Sequence, residues 1–185
     1  MSGPVVRQGA ADRAAGIRLF LMDVDGVLTD GGIIFDAGGL ETKRFDVRDG
    51  HGIKMLQRAG VAVGIITGRT SEVVSIRARE LGIDIVRQGV KDKVAAWREI
   101  LAGIGLLPAE TAYAGDDIVD LGLLRAVGFS AAPSDAEPYV LDAVHFVASR
   151  PGGHGAVREI VEFLLRSRGS WDAVTSSYFS GGTGG

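Results

Sequence analysis

The sequence of 185 residues contains no cysteine and only three histidines. The absence of cysteine excludes disulfides, thiolate nucleophiles and cysteine-ligated zinc sites. Three scattered histidines do not favour a histidine-rich zinc site either. Any bound metal is therefore expected to be a hard cation with oxygen ligands.

The chain also lacks an excess of positive charge and a long apolar run. Its net charge of -3 and its pI of about 5.6 provide no cationic field for nucleic acid or an anionic membrane. The first residues lack the apolar core of a signal peptide, and no run reaches bilayer-spanning length. The sequence predicts a cytoplasmic protein that has neither nucleic acid nor membrane as a partner.

The residues that are present, 46% apolar and 23% charged, are typical of one globular domain with a sizeable core. Apolar β-branched runs alternate with amphipathic stretches, which predicts an α/β fold with a parallel sheet and helices on both faces. Strands are predicted at 17–22, 61–67, 83–86, 111–114, 129–131 and 144–147. Helices are predicted at 51–59, 71–81, 91–102, 118–126 and 156–168.

Three segments depart from this alternation. Residues 31–45 contain two short strand-like runs around a glycine-rich turn, which predicts a β-hairpin after the first strand, standing over the residues that precede it. Residues 1–16 are expected to be a flexible leader and residues 171–185 a flexible tail, so that the domain spans 17–170. The glycine-rich end of the tail is expected either to be disordered or to reach into an adjacent site.

Two carboxylates, Asp23 and Asp25, follow the first apolar strand directly. Residues two apart on an extended chain point to the same side, and ligands of open α/β sheets bind at the carboxyl ends of the strands. The pair suits a nucleophile and an acid/base partner, although the sequence Asp25-Gly26 is also an ordinary turn after a strand.

Polar residues follow the later strands as well. Thr67, Gly68 and Arg69 form a combination suited to an oxyanion, although Thr67 alone is also typical of a helix cap. Lys93 lies in the first turn of a helix, where its charge opposes the helix dipole, so we expect it to have a role besides that of a solvated surface lysine.

A third acidic group, Asp116, Asp117 and Asp120, follows the strand at 111–114. Helix capping is the structural alternative for the first two of these residues. Several carboxylates in one cleft repel one another unless a cation neutralises them. Oxygen ligands and room for water favour Mg²⁺ as that cation.

The ordered set Asp-x-Asp, Thr, Lys and Gly-Asp-Asp-x-x-Asp resembles the four motifs of the haloacid dehalogenase superfamily, over about residues 17–168. The resemblance implies a three-layer Rossmann-like fold and a Mg²⁺-dependent phosphatase. It implies that Asp23 attacks phosphorus, that Asp25 exchanges the proton, and that Thr67 and Lys93 bind the phosphoryl oxygens. The implied metal ligands are Asp23, the backbone carbonyl of Asp25 and Asp116, with support from Asp117 and Asp120.

The two intervals in which this superfamily inserts a cap domain, 23–67 and 67–93, are too short to hold one. An open site gains from exclusion of water, so we expect other subunits to supply the lid. This agrees with a narrower resemblance, to the 3-deoxy-D-manno-octulosonate 8-phosphate phosphatases, which are capless tetramers. The stretches that carry it are 23–31, 45–52, 66–69, 113–117 and 152–159.

The implied substrate is an anionic sugar-acid phosphate, for which Arg48, Arg69 and Arg77 are the candidate ligands because guanidinium groups match carboxylates and phosphates. Arg48 and Arg77 are also compatible with ordinary surface positions. Position 154 is histidine where the family usually has arginine. If that arginine helps to form the neighbour's pocket, His154 is expected to change the substrate or to make binding more pH dependent. Two alternatives stay open, a phosphatase of a nine-carbon, neuraminate-like 9-phosphate and a non-catalytic tetramerisation module.

Overall fold

The computed structural model describes residues 3–179 and contains a seven-stranded sheet beside a separate two-stranded hairpin. The sheet has the order β1-β9-β8-β7-β2-β5-β6. Its strands are β1 Val5–Val6, β2 Leu19–Met22, β5 Ala62–Ile66, β6 Ile85–Arg87, β7 Thr111–Ala114, β8 Phe129–Ala132 and β9 Phe146–Val147. The hairpin consists of β3 Ile34–Phe35 and β4 Glu41–Thr42.

All neighbours in the large sheet pair in parallel except β1, which runs antiparallel to β9. Strand β2 lies at the centre, with Leu19 paired to Ala62 on one side and to Thr111 on the other. Its four residues are all buried, as expected for a parallel strand covered on both faces. The carboxyl ends of β2, β5 and β7 therefore meet at one edge of the sheet.

Helices cover both faces of the sheet. They are α1 Ala10–Ala15, α2 Val47–Arg58, α3 Glu72–Leu81, α4 Lys93–Ile104, α5 Leu121–Ala126, α6 Pro138–Leu141, α7 Ala156–Ser167 and α8 Trp171–Phe179. Alternate residues of β2 enter two cores: Phe20 packs with residues of α2 and α7, and Leu21 packs with residues of α4 and α5. The predicted three-layer α/β fold is confirmed, and within residues 3–179 no separate cap domain is inserted.

The ends of the chain differ from the expected loose segments over much of their length. Within the leader predicted for 1–16, β1 adds to the edge of the sheet and Ala10 and Ala14 of α1 are buried against the core. Alanine packs closely without a strong apolar periodicity, so the sequence pattern gives little signal there. Helix α8 occupies 171–179 of the predicted tail, and the remaining residues, 180–185, lie outside the described range.

In the part of the chain that the structure describes, no helix is long and apolar enough to cross a bilayer.

Candidate active site

The carboxyl ends of β2, β5 and β7, together with the start of α4, surround a cavity of about 300 Å³. The residues that line it are Asp23, Asp25, Gly26, Gly31, Thr67, Gly68, Arg69, Lys93, Asp116, Asp117 and Val119. Side chains from all four sequence motifs thus lie in one place, as the convergence of parallel strand ends predicts.

Asp23 and Lys93 form a buried ion pair at the base of this cavity. Lys93 Nζ lies 2.6 Å from Asp23 Oδ2, and the backbone N–H of Val24 donates to Asp23 Oδ1 at 2.7 Å. Burial raises the pKa of Asp23, and the nearby Lys93 opposes this shift. Burial also pulls the pKa of Lys93 down, but the adjacent carboxylates outweigh it and the pKa is raised. Lys93 therefore carries its charge inside the site and is not a solvated surface lysine.

Asp120 is fully buried and uses both of its oxygens within the protein. Its Oδ1 accepts from Lys93 Nζ at 2.7 Å and from the Tyr113 hydroxyl at 2.5 Å. Its Oδ2 accepts the backbone N–H groups of Asp116 and Asp117, at 3.1 and 3.3 Å. The carboxylate therefore fixes Lys93 and shapes the loop that carries the other two acids.

Asp116 differs from Asp120 in its hydrogen bonding, because its buried Oδ1 has no hydrogen-bond partner among the described residues. Burial, together with the charges of Asp120 and Asp23, raises its pKa to about 7. Carboxylate oxygens of Asp23, Asp116 and Asp120 lie within 4.8 Å of one another. A buried, unpartnered oxygen beside other acids fits a divalent cation with oxygen ligands.

Asp25 lies opposite, beneath the hairpin, and faces two cations. Lys43 Nζ, immediately after β4, contacts Asp25 Oδ1, and Arg69 Nε lies 3.5 Å from Asp25 Oδ2. The hairpin thus stands over the site, as the sequence predicted. Lys43 and the nearby Glu41 were not among the site residues predicted from the sequence. The only signal for them in the sequence is their place on that hairpin.

Backbone packing without side chains shapes the loop after β2. A Cβ on Gly26, where φ is +85°, would lie 2.0 Å from Asp116 Oδ2, and one on Gly152 would lie 1.9 Å from the carbonyl oxygen of Gly26. Gly153 donates its N–H to the carbonyl of Val27 at 3.0 Å. Only glycine permits these approaches, which explains the glycine pair before α7.

Comparison with known proteins places this site in a family. The chain is 42% identical over 173 residues to the 3-deoxy-D-manno-octulosonate 8-phosphate phosphatase KdsC of Yersinia pestis, a match that covers 94% of this chain and 92% of the relative. The chain belongs to the KdsC family. The resemblance to the haloacid dehalogenase superfamily is confirmed with it. No protein-family model matches the chain.

Two solved structures of KdsC-type phosphatases superpose closely on the chain. One, from Moraxella catarrhalis, is in complex with a magnesium ion, a phosphate ion and a KDO molecule; it has a TM-score of 0.91 at 38% identity and covers 93% of this chain and 99% of its own. The other, the cobalt-bound form from Haemophilus influenzae, has a TM-score of 0.85 at 41% identity and covers 91% and 99%.

Among the three arginines expected to bind a KdsC-type substrate, only Arg69 lines the cavity. Arg48 pairs with Asp46 on the outside of α2, and Arg77 forms an ion pair with Glu80 at 2.8 Å. The structure does not bring these two to the cavity of their own chain. Arg48 donates to the backbone carbonyl of His154 at 2.9 Å, and the Arg77 guanidinium lies over the ring of Phe45.

Two further predicted positions of the KdsC pattern lie at the margin of the site. Asp117 lines the cavity, but its Oδ1 accepts from the backbone N–H of Ile118 at 2.6 Å and from the Tyr139 hydroxyl at 2.8 Å, so this carboxylate caps the following turn. His154 lies outside the cavity, with a ring nitrogen 2.9 Å from Arg44 Nη2.

Proposed function

We propose that the chain is a Mg²⁺-dependent phosphatase that hydrolyses 3-deoxy-D-manno-octulosonate 8-phosphate to the free sugar acid and inorganic phosphate. The convergence of Asp23, Lys93 and the unpartnered Oδ1 of Asp116 in one cavity carries this proposal. Its relationship to KdsC proteins over nearly its whole length supports the choice of substrate. Free KDO would then enter lipopolysaccharide synthesis.

Asp23 is the proposed nucleophile. The Val24 N–H and Lys93 hold its two oxygens in fixed directions, which presents the carboxylate to an incoming phosphorus atom. A carboxylate oxygen forms a bond to phosphorus as the bond between phosphorus and the sugar oxygen breaks. Lys93 and Thr67 bind the phosphoryl oxygens, and the ammonium group of Lys93 offsets their negative charge.

Asp25 is the proposed acid and base. It gives a proton to the departing sugar oxygen and then takes one from the water that attacks the aspartyl phosphate, which regenerates Asp23. Asp23, the backbone carbonyl of Asp25 and Asp116 would hold Mg²⁺, while Asp117 and Asp120 would support them from behind. When bound, the ion supplies the positive charge that lets a phosphate enter a cavity rich in carboxylates.

Substrate contacts beyond the phosphate are assigned first to Arg69, which lines the same cavity. Arg48 and Arg77 remain proposed ligands only through assembly, because a neighbouring copy would have to present them.

We also propose a homotetramer, because the hairpin exposes Ile33, Ile34 and Phe35 to solvent in the isolated chain. A partner that covers these apolar side chains would also close the open cavity. The cytoplasmic location stays a prediction from the sequence.

The test is release of inorganic phosphate from 3-deoxy-D-manno-octulosonate 8-phosphate with added Mg²⁺. Asp23→Asn removes the nucleophile and is expected to lower turnover by at least about 10³-fold without altering the circular dichroism spectrum. Chelation of Mg²⁺ is expected to abolish phosphate release as well. Full activity of the Asn variant, or clear preference for a nine-carbon 9-phosphate assayed in parallel, would contradict the proposal.

A further inference from the structure

Lys43 is a buried cation that the mechanism above does not use. Its side chain is only 1% exposed, and its Nζ contacts Asp25 Oδ1 and lies 3.4 Å from Glu41 Oε1. An ammonium group removed from water is strongly disfavoured unless it is paired. These two carboxylates therefore fix the end of Lys43, and Lys43 in turn fixes them.

Arg69 completes a ring of four charges. Its Nη2 lies 3.0 Å from Glu41 Oε1 and its Nε lies 3.5 Å from Asp25 Oδ2. Glu41 also accepts a hydrogen bond from the Ser71 hydroxyl, and this bond and those from Arg69 and Lys43 lower its pKa against the effect of burial. Two acids and two cations thus alternate, and two of the four members, Glu41 and Lys43, come from the hairpin.

The two oxygens of Asp25 are not held equally. Oδ1 receives the Lys43 ammonium in direct hydrogen-bond contact. Oδ2 only faces Arg69 Nε, which has no hydrogen-bond partner among the described residues. One oxygen is therefore held firmly while the other is available for a new bond.

We propose that Lys43 and Glu41 are positioning residues for the acid/base step: Lys43 holds Asp25 Oδ1, so that Oδ2 exchanges the proton with the leaving oxygen and with water. Glu41 orients Lys43 and keeps Arg69 beside the same carboxylate. This inference rests on the proposed phosphatase function and adds to it the hairpin residues that orient its acid. It also assigns the two oxygens of Asp25 different roles.

Removal of Lys43 would leave two carboxylates, Asp25 and Glu41, to share the single cation of Arg69. The Asp25 side chain would then lose the contact that fixes its rotation, and proton transfer depends steeply on such alignment. The nucleophile would be unaffected, because Asp23 is held by Val24 and Lys93 instead. The two chemical steps should therefore respond differently to one substitution.

The experiment compares Lys43→Met with wild type on the sugar-acid phosphate and on p-nitrophenyl phosphate, with Mg²⁺ present. For the sugar phosphate, kcat is expected to fall at least about tenfold, because its alkoxide needs a proton, while KM changes less than about threefold. p-Nitrophenolate leaves without a proton, so attack by Asp23 continues while hydrolysis of the aspartyl phosphate slows. Rapid mixing should then show a burst of about one p-nitrophenolate per site.

Lys54→Met is the matched control, because Lys54 is an exposed lysine of α2 outside the cavity. It is expected to retain wild-type kcat and to show no burst beyond that of wild type. A Lys43→Met enzyme with kcat within twofold of wild type and no added burst would overturn the inference. So would equal losses on both substrates without a burst, since that pattern indicates general damage to the site.

Glu41→Gln provides a second test that preserves side-chain shape if Lys43→Met melts too low for assay. This variant is expected to produce the same burst with a smaller loss of kcat. A Glu41→Gln enzyme without a burst would also overturn the inference. Failure of the proposed function is distinguishable, because wild type would then release no phosphate and Asp23→Asn would change nothing. If wild type is active and Asp23→Asn is inactive, the proposed function holds. The hairpin substitutions then test only whether Lys43 and Glu41 position Asp25.

Discussion

At the scale of single residues, Asp116 and Asp120 show that hydrogen bonds, not residue type, divide the roles within an acidic motif. Both oxygens of Asp120 accept hydrogen bonds, from Lys93, Tyr113 and the loop backbone. Asp120 therefore supports the site and has no free oxygen for a ligand. Asp116 has a buried oxygen with no partner among residues 3–179, so it retains capacity for an outside ligand. The motif spacing alone does not distinguish the two.

The condition of Asp116 predicts the pH dependence of metal binding. Its metal-free pKa is about 7, raised by burial and by the adjacent Asp120 and Asp23, and a protonated carboxyl does not ligate Mg²⁺. Since the group ionises as pH rises, Mg²⁺ affinity is expected to increase about tenfold from pH 6 to pH 8. Titration calorimetry in two buffers should show protons released on binding at pH 6 and fewer at pH 8.

Asp116→Asn supplies the control for this prediction. The amide cannot ionise, so the variant should bind Mg²⁺ weakly and lose most of the pH dependence. Equal Mg²⁺ affinity of the wild-type protein at pH 6 and pH 8 would show that protonation of this group does not oppose the metal.

At the scale of elements, two loops distant in sequence are locked together by glycine backbone. The Gly152 segment before α7 packs directly on Gly26 after β2, and Gly153 donates to the same loop at Val27. The loop that presents Asp25 is therefore braced by the far end of the chain. Any side chain at the contact must push the two backbones apart.

Gly152→Ala tests this brace. The added methyl group meets a carbonyl oxygen, and overpacking of this kind costs about 1 to 3 kcal/mol, so the melting temperature should fall by about 2 to 12 °C. kcat should fall too, because the loop carrying Asp25 shifts. Gly16→Ala is the matched control, since a Cβ there has nothing within 4 Å. Thermal melts that are the same for both variants would refute the steric argument.

Sequence predicts the contacts made at strand ends better than those made by the hairpin and the short elements. Strand ends of a parallel sheet always share an edge, so Asp23, Thr67 and Asp116 could be brought together from order and spacing alone. Lys43 could not, because its contact depends on how the hairpin folds back, which no local pattern specifies. Short or alanine-rich elements such as β1 and α1 likewise carry little periodicity, although tertiary packing orders them.

At the scale of the whole molecule, the hairpin is the part of the chain least explained by the isolated subunit. It has only two paired positions, yet it exposes consecutive apolar side chains and also supplies Lys43 to the site. An isolated two-stranded hairpin is marginally stable in water. Contacts with neighbouring copies would therefore stabilise both the assembly and the charge ring around Asp25.

Phe35→Gln tests the proposed tetramer, because Phe35 is 58% exposed on the hairpin. Sedimentation of wild type is expected to give a tetramer of the 19.3 kDa chain, whereas the variant should dissociate and lose activity on dilution. Leu107→Gln, which alters an even more exposed apolar side chain just after α4, should remain tetrameric. Wild-type protein that sediments only as a monomer at assay concentrations would rule out the shared lid.

The contact between Gly152 and Gly26 also affects how the chain folds during its synthesis. During synthesis β2 and the two aspartates that follow it leave the ribosome long before residue 152 is added, so their loop at first lacks the contact with Gly152. A nascent chain that ends between residues 120 and 151 holds every acid of the four motifs and still lacks the contact made by Gly152. The loop that carries Asp25 therefore gains its last backbone contact late in translation, after all four motifs have been synthesised.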